Sequence, residues 1–532
     1  MLIENNVFQV AAILGILKAG MSYVAIDADF PLERNRMILQ DAECSLLLTN
    51  QQNELLAKEI AAGIPVRIIG SDIPDTPEDL MPAACDPGDN AITLYTSGST
   101  GKPKGVLQSH RNMMHFIYRM TKRYPLNAED KVAYFLSVAF SAHALPLLAA
   151  LLNGCELKTF RLKDENFFGY SKWFRESGIT FAMMIPSFLR HFLSVQTKKD
   201  KFPELHTLML GGETLYRSDV VKAREVFGKK TQLVNIYAST EAYLMRSFPI
   251  HPDTVIKTNI VPIGYPVEDM DIEVVDENGE PVSGQNRGEI ILKSPFISEG
   301  YWKRPELTQK DFSTLKGDQH LRIFKTSDSA YYLDGDCLVH VGRMDATVKL
   351  RGYRIDFGEI INILLQHENV IEAACAVMAD PRGNEHLIAY YMPAEGKTVD
   401  EEILRASLVR MLPDYMIPAQ LIPSNRLPKS NTGKLDTSAL PEPSWEMPSE
   451  GNRKPPADEL EGELVKIFEK VLKIAPIGTD DNFLKIGGNS LLLFVAFSEV
   501  EKKFNIKIDV RAAVDHPTII SLAGLIRKSR EA

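Results

Sequence analysis

Residues 91–106 read Ala-Ile-Thr-Leu-Tyr-Thr-Ser-Gly-Ser-Thr-Gly-Lys-Pro-Lys-Gly-Val. The apolar start, residues 91–95, predicts a strand that delivers the chain into a loop of Thr, Ser, Gly and Lys. Glycines let backbone N–H groups turn toward an anion. The hydroxyls of Thr96, Ser97, Ser99 and Thr100 add donors, and Lys102 and Lys104 add positive charge. That is the chemistry of a polyphosphate cradle. It is not a Walker A loop, which needs Gly, four residues and then Gly-Lys-Ser/Thr. Here Thr96 stands where the first glycine belongs and Pro103 follows Lys102. Ser/Gly/Thr clusters also make ordinary turns, so the loop taken alone leaves both readings open.

The run Thr96-Ser97-Gly98-Ser99-Thr100-Gly101-Lys102-Pro103-Lys104-Gly105 resembles the signature of the adenylate-forming enzymes: acyl-CoA synthetases, luciferases and nonribosomal peptide synthetase adenylation domains. Further stretches resemble that family's motifs in the family's order. Asn235-Ile236-Tyr237-Ala238-Ser239-Thr240-Glu241 is similar to Asn-x-Tyr-Gly-Pro-Thr-Glu. The resemblance implies that Asn235 and Tyr237 hold the nucleotide, Tyr237 by stacking on adenine. It puts Thr240 near phosphate and gives Glu241 to Mg²⁺, for which a carboxylate is a suitable hard ligand. The alternative is a helix N-terminus capped by Ser239 or Thr240. Thr326-Ser327-Asp328 stands where the family has Thr-Gly-Asp, and implies that Asp328 accepts from the ribose hydroxyls. The run 342–355 resembles the hinge motif: Arg343 would meet ribose or phosphate, and Asp345 would be the pivot of a mobile C-terminal subdomain. Lys434, in Asn431-Thr432-Gly433-Lys434, would bridge the substrate carboxylate and the α-phosphate and stabilise charge in the transition state.

Two further stretches extend the resemblance beyond adenylation. Residues 481–491, with Gly487-Gly488-Asn489-Ser490, resemble the attachment motif of carrier domains, and His516-Pro517-Thr518 resembles the start of the last carrier helix. Ser490 would then carry 4'-phosphopantetheine at a helix start, where the helix dipole favours a phosphodiester. The whole implies ATP-dependent activation of a carboxylic acid, then transfer to the thiol on Ser490, in nonribosomal peptide or secondary-metabolite synthesis. An acyl-CoA synthetase-like ligase, and an impaired remnant acting as a carrier or interaction module, are the alternatives. The implied partners are a phosphopantetheinyl transferase and a downstream acyl-accepting synthetase, reductase or thioesterase.

The acid side departs from the family. Phe140-Ser141 lies where the family reads Phe-Asp, that Asp holding an α-ammonium group. Ser141 cannot form that ion pair. The remaining pocket positions, Met209, Gly211, Ile236, Leu244 and Met245, offer no charge either. An acyl, aryl or hydroxy acid is therefore expected. His143 fits either the pocket or the core.

These residues need elements to hold them. From residue 28 to about 260, apolar runs at 45–48, 66–69, 91–95, 132–136, 180–184 and 206–210 alternate with helical stretches, an α/β pattern with largely parallel sheets. Residues 8–19 have helical spacing, 23–27 read as a strand, and Asn278-Gly279 between 271–275 and 280–282 predicts a hairpin. The resulting chain is multidomain: an adenylation large subdomain at 1–344, a small α+β subdomain at 345–440, a Pro-rich linker at 441–457 and an all-α four-helix carrier bundle at 458–532. Residues 17–27 resemble a motif normally found well inside an adenylation domain, which implies a large subdomain truncated at its N-terminus.

Length and composition agree. A chain of 532 residues exceeds one core. A net charge of −10 argues against a nucleic-acid binder. Five scattered cysteines without a Cys-x-x-Cys pair suit a reducing cytoplasm. No Lys, Arg, Asp or Glu occurs between Lys131 and Glu156, but Ser137, His143, Pro146 and Asn153 interrupt the run. A buried strand, loop and core helix are expected there rather than a membrane span.

Overall fold

A computed structural model of the chain describes all residues except 71–80, 97–102, 163–166, 198–199, 316, 344–346, 351, 381–384, 395–396, 429–439, 446–453, 473, 484–485, 487, 489, 505, 507–517 and 532. Two compact units result. The larger comprises Met1–Phe160, Phe174–Glu359 and Arg410–Tyr415; the other comprises Arg161–Trp173, Ile360–Val409 and Met416–Ala532.

The larger unit is built on a seven-stranded sheet. Strands Glu156–Thr159, Lys131–Tyr134, Phe181–Met184, Thr207–Gly211 and Gln232–Ser239 run parallel in that spatial order. Tyr243–Ile250 and Tyr265–Pro266 then continue it antiparallel. Phe181–Met184 and Thr207–Gly211 are buried along their whole length, which explains their unbroken apolar sequences. The uncharged 131–156 segment folds as strand Lys131–Tyr134, a 3₁₀ turn Ser141–His143 and core helix Ala144–Leu152. Among the described residues no helix is long and apolar enough to cross a membrane.

A second, three-stranded sheet places Asn90–Thr96 between Tyr23–Val24, parallel to it, and Lys104–Ser109, antiparallel. The strand expected over 23–27 is thus only two residues long. The Asp27 carboxylate accepts from the Asp29 N–H at 2.9 Å, an Asx turn that ends the extended run.

A five-stranded antiparallel sheet completes the unit, with Gly288–Ser294 between Asp271–Val275 and Asp318–Tyr332, and Leu338–Arg343 also paired to Asp318–Tyr332. The hairpin expected at Asn278-Gly279 is present but short: Val275 and Pro281 form an antiparallel bridge, the Asp276 N–H donates to the Glu280 carbonyl at 2.9 Å and the Val282 N–H to the Val274 carbonyl at 2.8 Å. Pro281 has no N–H to extend it, and the long ladder of Asp271–Val275 is with Gly288–Ser294.

In the second unit, Val370–Ala379, Glu385–Pro393 and Gln420–Pro423 form a sheet. The stretch after it stays attached: the Tyr390 hydroxyl donates to the Pro441 carbonyl at 2.8 Å, and Trp445 lies against His386 with ring centres 5.1 Å apart. Helices Glu459–Leu472, Ser490–Phe504 and Ile519–Glu531 then enclose a core that includes Leu464, Phe468, Phe483, Phe497 and Leu522. Asp458 caps the first of them, accepting from the Glu461 N–H at 2.9 Å. Glu461 reaches back to the Ala457 N–H, one residue earlier than a reciprocal capping box requires. Gly488 packs so tightly on Phe483 that a β-carbon would lie 2.2 Å from its ring.

Candidate functional site

Strands Gln232–Ser239 and Tyr243–Ile250 carry the Tyr237-to-Glu241 stretch between them, so the helix start that was the alternative reading is absent. Their register shifts at Tyr237/Ala238. Such a bulge re-aims side chains.

Beside it lies a cleft of about 250 Å³, whose lining includes Gly212, Glu213, Asn235, Ile236, Tyr237, His340 and Arg343. Tyr237 is buried, and its hydroxyl donates to Asp328 Oδ2 at 2.5 Å. Burial, then the adjacent Asp328 charge, raises the Tyr237 hydroxyl well above its ordinary pKa, so it remains a donor. Arg343 Nη1 donates to Asp328 Oδ1 at 3.0 Å, and His340 Nε2 stands 3.5 Å from the same oxygen. Strand pairing explains the meeting: Asp328 and Arg343 are cross-strand partners. Ser327, before Asp328, holds φ +56°, a conformation that glycine adopts without strain. Asn235 spends its amide nitrogen on the carbonyls of Val261 and Pro262, at 3.2 and 2.9 Å, holding one wall of the cleft.

The Thr240–Glu241 connection is anchored from below. Gln108 Nε2 donates to the Thr240 carbonyl at 2.6 Å, and the Ser298 N–H donates to the Glu241 carbonyl at 2.8 Å. Glu241 is fully buried, with the Tyr301 hydroxyl 3.3 Å from its Oε1. Its carboxylate fits Mg²⁺, which commonly takes one or two carboxylates and completes its shell with phosphate and water.

On the acid side, Thr240 Oγ1 donates to Ser141 Oγ at 3.2 Å. Met209, Ile236, Leu244 and Met245 are buried in one apolar cluster. Gly211 is required there, since a β-carbon would lie 2.4 Å from Ile236 Cγ1. Ile236 thus belongs to both sides, walling the cleft and covering Gly211. His143 is a core residue, fully buried and bonded to Tyr23.

At the phosphate loop, Thr96 ends its strand with Oγ1 buried and no hydrogen-bond partner among the described residues. The charge of Lys104 is engaged elsewhere, with Nζ 3.8 Å from the Tyr301 ring centre and 3.9 Å from Asp311. Ser97, Gly98, Ser99, Thr100, Gly101 and Lys102, with Asp345 and Lys434, lie outside the described residues. Ser490 opens a helix of 15 residues. Tyr301 lies in Gly300-Tyr301-Trp302, which with Gly288-Glu289-Ile290-Ile291-Leu292 resembles a further core motif of the family. Gln108 and His340 carry no motif signal, and only the polar interruption of an apolar strand sets them apart in the sequence.

Known proteins share this architecture. Residues 1–302 match the model of the AMP-binding enzymes, residues 359–434 that of the AMP-binding enzyme C-terminal domain, and residues 462–526 that of the phosphopantetheine attachment site. Tyrocidine synthase 1 of Brevibacillus parabrevis is 28% identical over 531 residues, which are 99% of this chain and 48% of that protein. Gramicidin S synthase 2 of Brevibacillus brevis is 31% identical over 533 residues, covering 99% of this chain but 12% of its own length. The chain therefore spans half or less of these relatives. Among solved structures, holo-PA1221, an NRPS protein containing adenylation and PCP domains bound to a vinylsulfonamide inhibitor, superposes with TM-score 0.78 at 21% identity, covering 99% of this chain and 88% of that one. At that identity it shows the fold. Holo-AB3403, a four-domain nonribosomal peptide synthetase bound to AMP and glycine, gives TM-score 0.59 at 28% identity over 100% of this chain and 39% of that one.

Proposed function

Because the chain belongs to the AMP-binding enzyme family, joined here to a phosphopantetheine attachment domain, we propose that it activates a carboxylic acid lacking an α-ammonium group and passes the acyl group to its own carrier. The acid's carboxylate oxygen attacks the α-phosphorus of ATP, the bond to pyrophosphate breaks, and an acyl-adenylate remains.

Tyr237 and Arg343 line one cleft and both bond to Asp328, with Ile236 shared by the apolar acid side, and this arrangement carries the reading. Tyr237 offers a ring face to adenine. Asp328 has lone pairs for ribose hydroxyls beyond those used by Tyr237 and Arg343. Thr240 and Ser141 flank the place where the carboxylate meets phosphate, and Thr96, Ser97, Gly98, Ser99, Thr100, Gly101 and Lys102 cradle the phosphates. Lys434 offsets the charge that develops on carboxylate and α-phosphate. Mg²⁺ on Glu241 would supply further charge neutralisation. Phosphopantetheine on Ser490 would supply the thiol that accepts the acyl group as AMP leaves. A phosphopantetheinyl transferase must load Ser490, and a separate synthetase, reductase or thioesterase activity must take the product.

The acid class rests on Ser141. A buried ammonium needs a paired charge, and the acid-side residues named above supply none. ATP–pyrophosphate exchange against acyl, aryl, hydroxy and amino acids tests both parts. Exchange is expected with a non-amino acid, and is expected to fall at least about 100-fold in Lys434→Ala. Preference for an ordinary α-amino acid would overturn the acid class, and no exchange with any acid would overturn the activity.

A further inference from the structure

His143 is fully buried, yet both ring nitrogens are engaged. Nδ1 lies 2.6 Å from the Phe140 carbonyl and Nε2 lies 3.1 Å from the Tyr23 hydroxyl. A carbonyl only accepts, so Nδ1 carries the proton and the Nε2 lone pair takes the Tyr23 O–H. Burial lowers the His143 pKa to about 4 and raises that of Tyr23, so both are neutral near pH 7.

The two partners belong to separate parts of the site. Tyr23 is paired with Ile92 on the strand that ends at Thr96, where the phosphate loop begins. His143 closes the turn whose first residue, Ser141, meets Thr240 in the connection between two strands of the seven-stranded sheet. A second bond holds the other end of the same loop, with Ser137 Oγ donating to Asp27 Oδ2 at 2.5 Å. Segment 23–27 therefore grips residues 137–143 at both ends.

We propose that His143 and Tyr23 are a positioning pair: their bond fixes the Ser141 turn relative to the strand that carries the phosphate loop, and so sets where the acid's carboxylate stands against the α-phosphate. This rests on the activity proposed above. Neither residue touches substrate. Their effect is on alignment, where a shift of about 1 Å can cost about 100-fold in rate.

The test uses the full chain with Tyr23→Phe, which removes the donor and keeps the ring, and with His143→Leu and His143→Gln, the last restoring an acceptor. Pyrophosphate exchange gives kcat and the KM for acid and for ATP. Hydrogen exchange of the amides at 140–144 reports the turn without any substrate. Tyr23→Phe and His143→Leu are expected to lower kcat about tenfold, raise the KM for acid, leave that for ATP unchanged and speed amide exchange at 140–144 alone. His143→Gln is expected to recover most of each effect. Unchanged protection at 140–144 overturns the proposal. So do parallel rises in both KM values with faster exchange throughout the unit, since that is general destabilisation. Should the wild-type chain activate no acid, the activity fails while the amide exchange still decides the tie.

Discussion

Asp328 holds the hydroxyl of Tyr237 and the guanidinium of Arg343, both of which line the cleft, with an imidazole 3.5 Å away. On the side expected to take the acid, Ser141 and Thr240 share a hydrogen bond, and Met209, Ile236, Leu244 and Met245 lie in the apolar core, Ile236 also walling the cleft. The two regions share the strand Gln232–Ser239, which carries both Tyr237 and Ile236, and differ in how they spend polarity. The end assigned to nucleotide is crowded with charge that is already paired, so its geometry is fixed before a ligand arrives. The end assigned to acid has almost none, so shape and the absence of charge must select. An adenylating enzyme can vary its acid by changing the second end without disturbing the first.

The sharpest way to break this contrast is Asp328→Asn. It removes the carboxylate charge that meets Arg343, whose side chain is 7% exposed. Breaking a buried pair in this way costs about 3 kcal/mol or more. A lower melting temperature and a KM for ATP raised about 100-fold are expected, with the KM for acid unchanged. Equal changes in both constants would mean that the two ends are not independent.

The buried histidine of the acid side makes the next prediction. Its folded pKa of about 4 lies below the ordinary value of about 6.5, so the unfolded chain binds more protons between those limits and stability rises with pH there. Unfolding free energy should be fully retained above pH 6.5 and fall by about 3 kcal/mol on acidification to pH 4. Denaturant titrations at several pH values measure the slope, and His143→Gln should flatten it.

Ser141→Asp sharpens the comparison from the acid end. A carboxylate placed there without a partner is expected to cut exchange with the native acid by about 10- to 100-fold and to raise exchange with an α-amino acid, because the substrate ammonium would then be paired. Loss of the first without gain of the second would place the acid's α-substituent elsewhere.

Ser327→Gly should have the smallest effect, and a favourable one. Relief of the φ +56° backbone is expected to stabilise the larger unit by about 1 kcal/mol, or about 1–2 °C in thermal unfolding, with the KM for ATP unchanged. A fall in melting temperature would show that the Ser327 side chain contributes more than its backbone costs.

Much of this was readable from the chain alone. The Thr/Ser/Gly/Lys loop was legible from residue type and local spacing, Tyr237, Asp328 and Arg343 were singled out by resemblance to family motifs, and the apolar runs at 180–184 and 206–210 announced buried parallel strands. That Ser141 stands where the family reads Asp, the observation from which the acid class is proposed, was likewise legible by resemblance. Other features needed three dimensions. Gln108 supports Thr240 across 132 residues, Tyr237 meets Asp328 across 91, and Tyr23 meets His143 across 120. Such pairings follow from strand order and register, which no local pattern encodes. The same is true of Lys104, expected to add charge to the phosphate loop yet found over the Tyr301 ring, and of the strand at residue 23, cut short by an Asx turn. Residue types and motif resemblance named the groups proposed to hold a nucleotide. Only packing decided which of them are held in place, by whom, and which are spent on the fold.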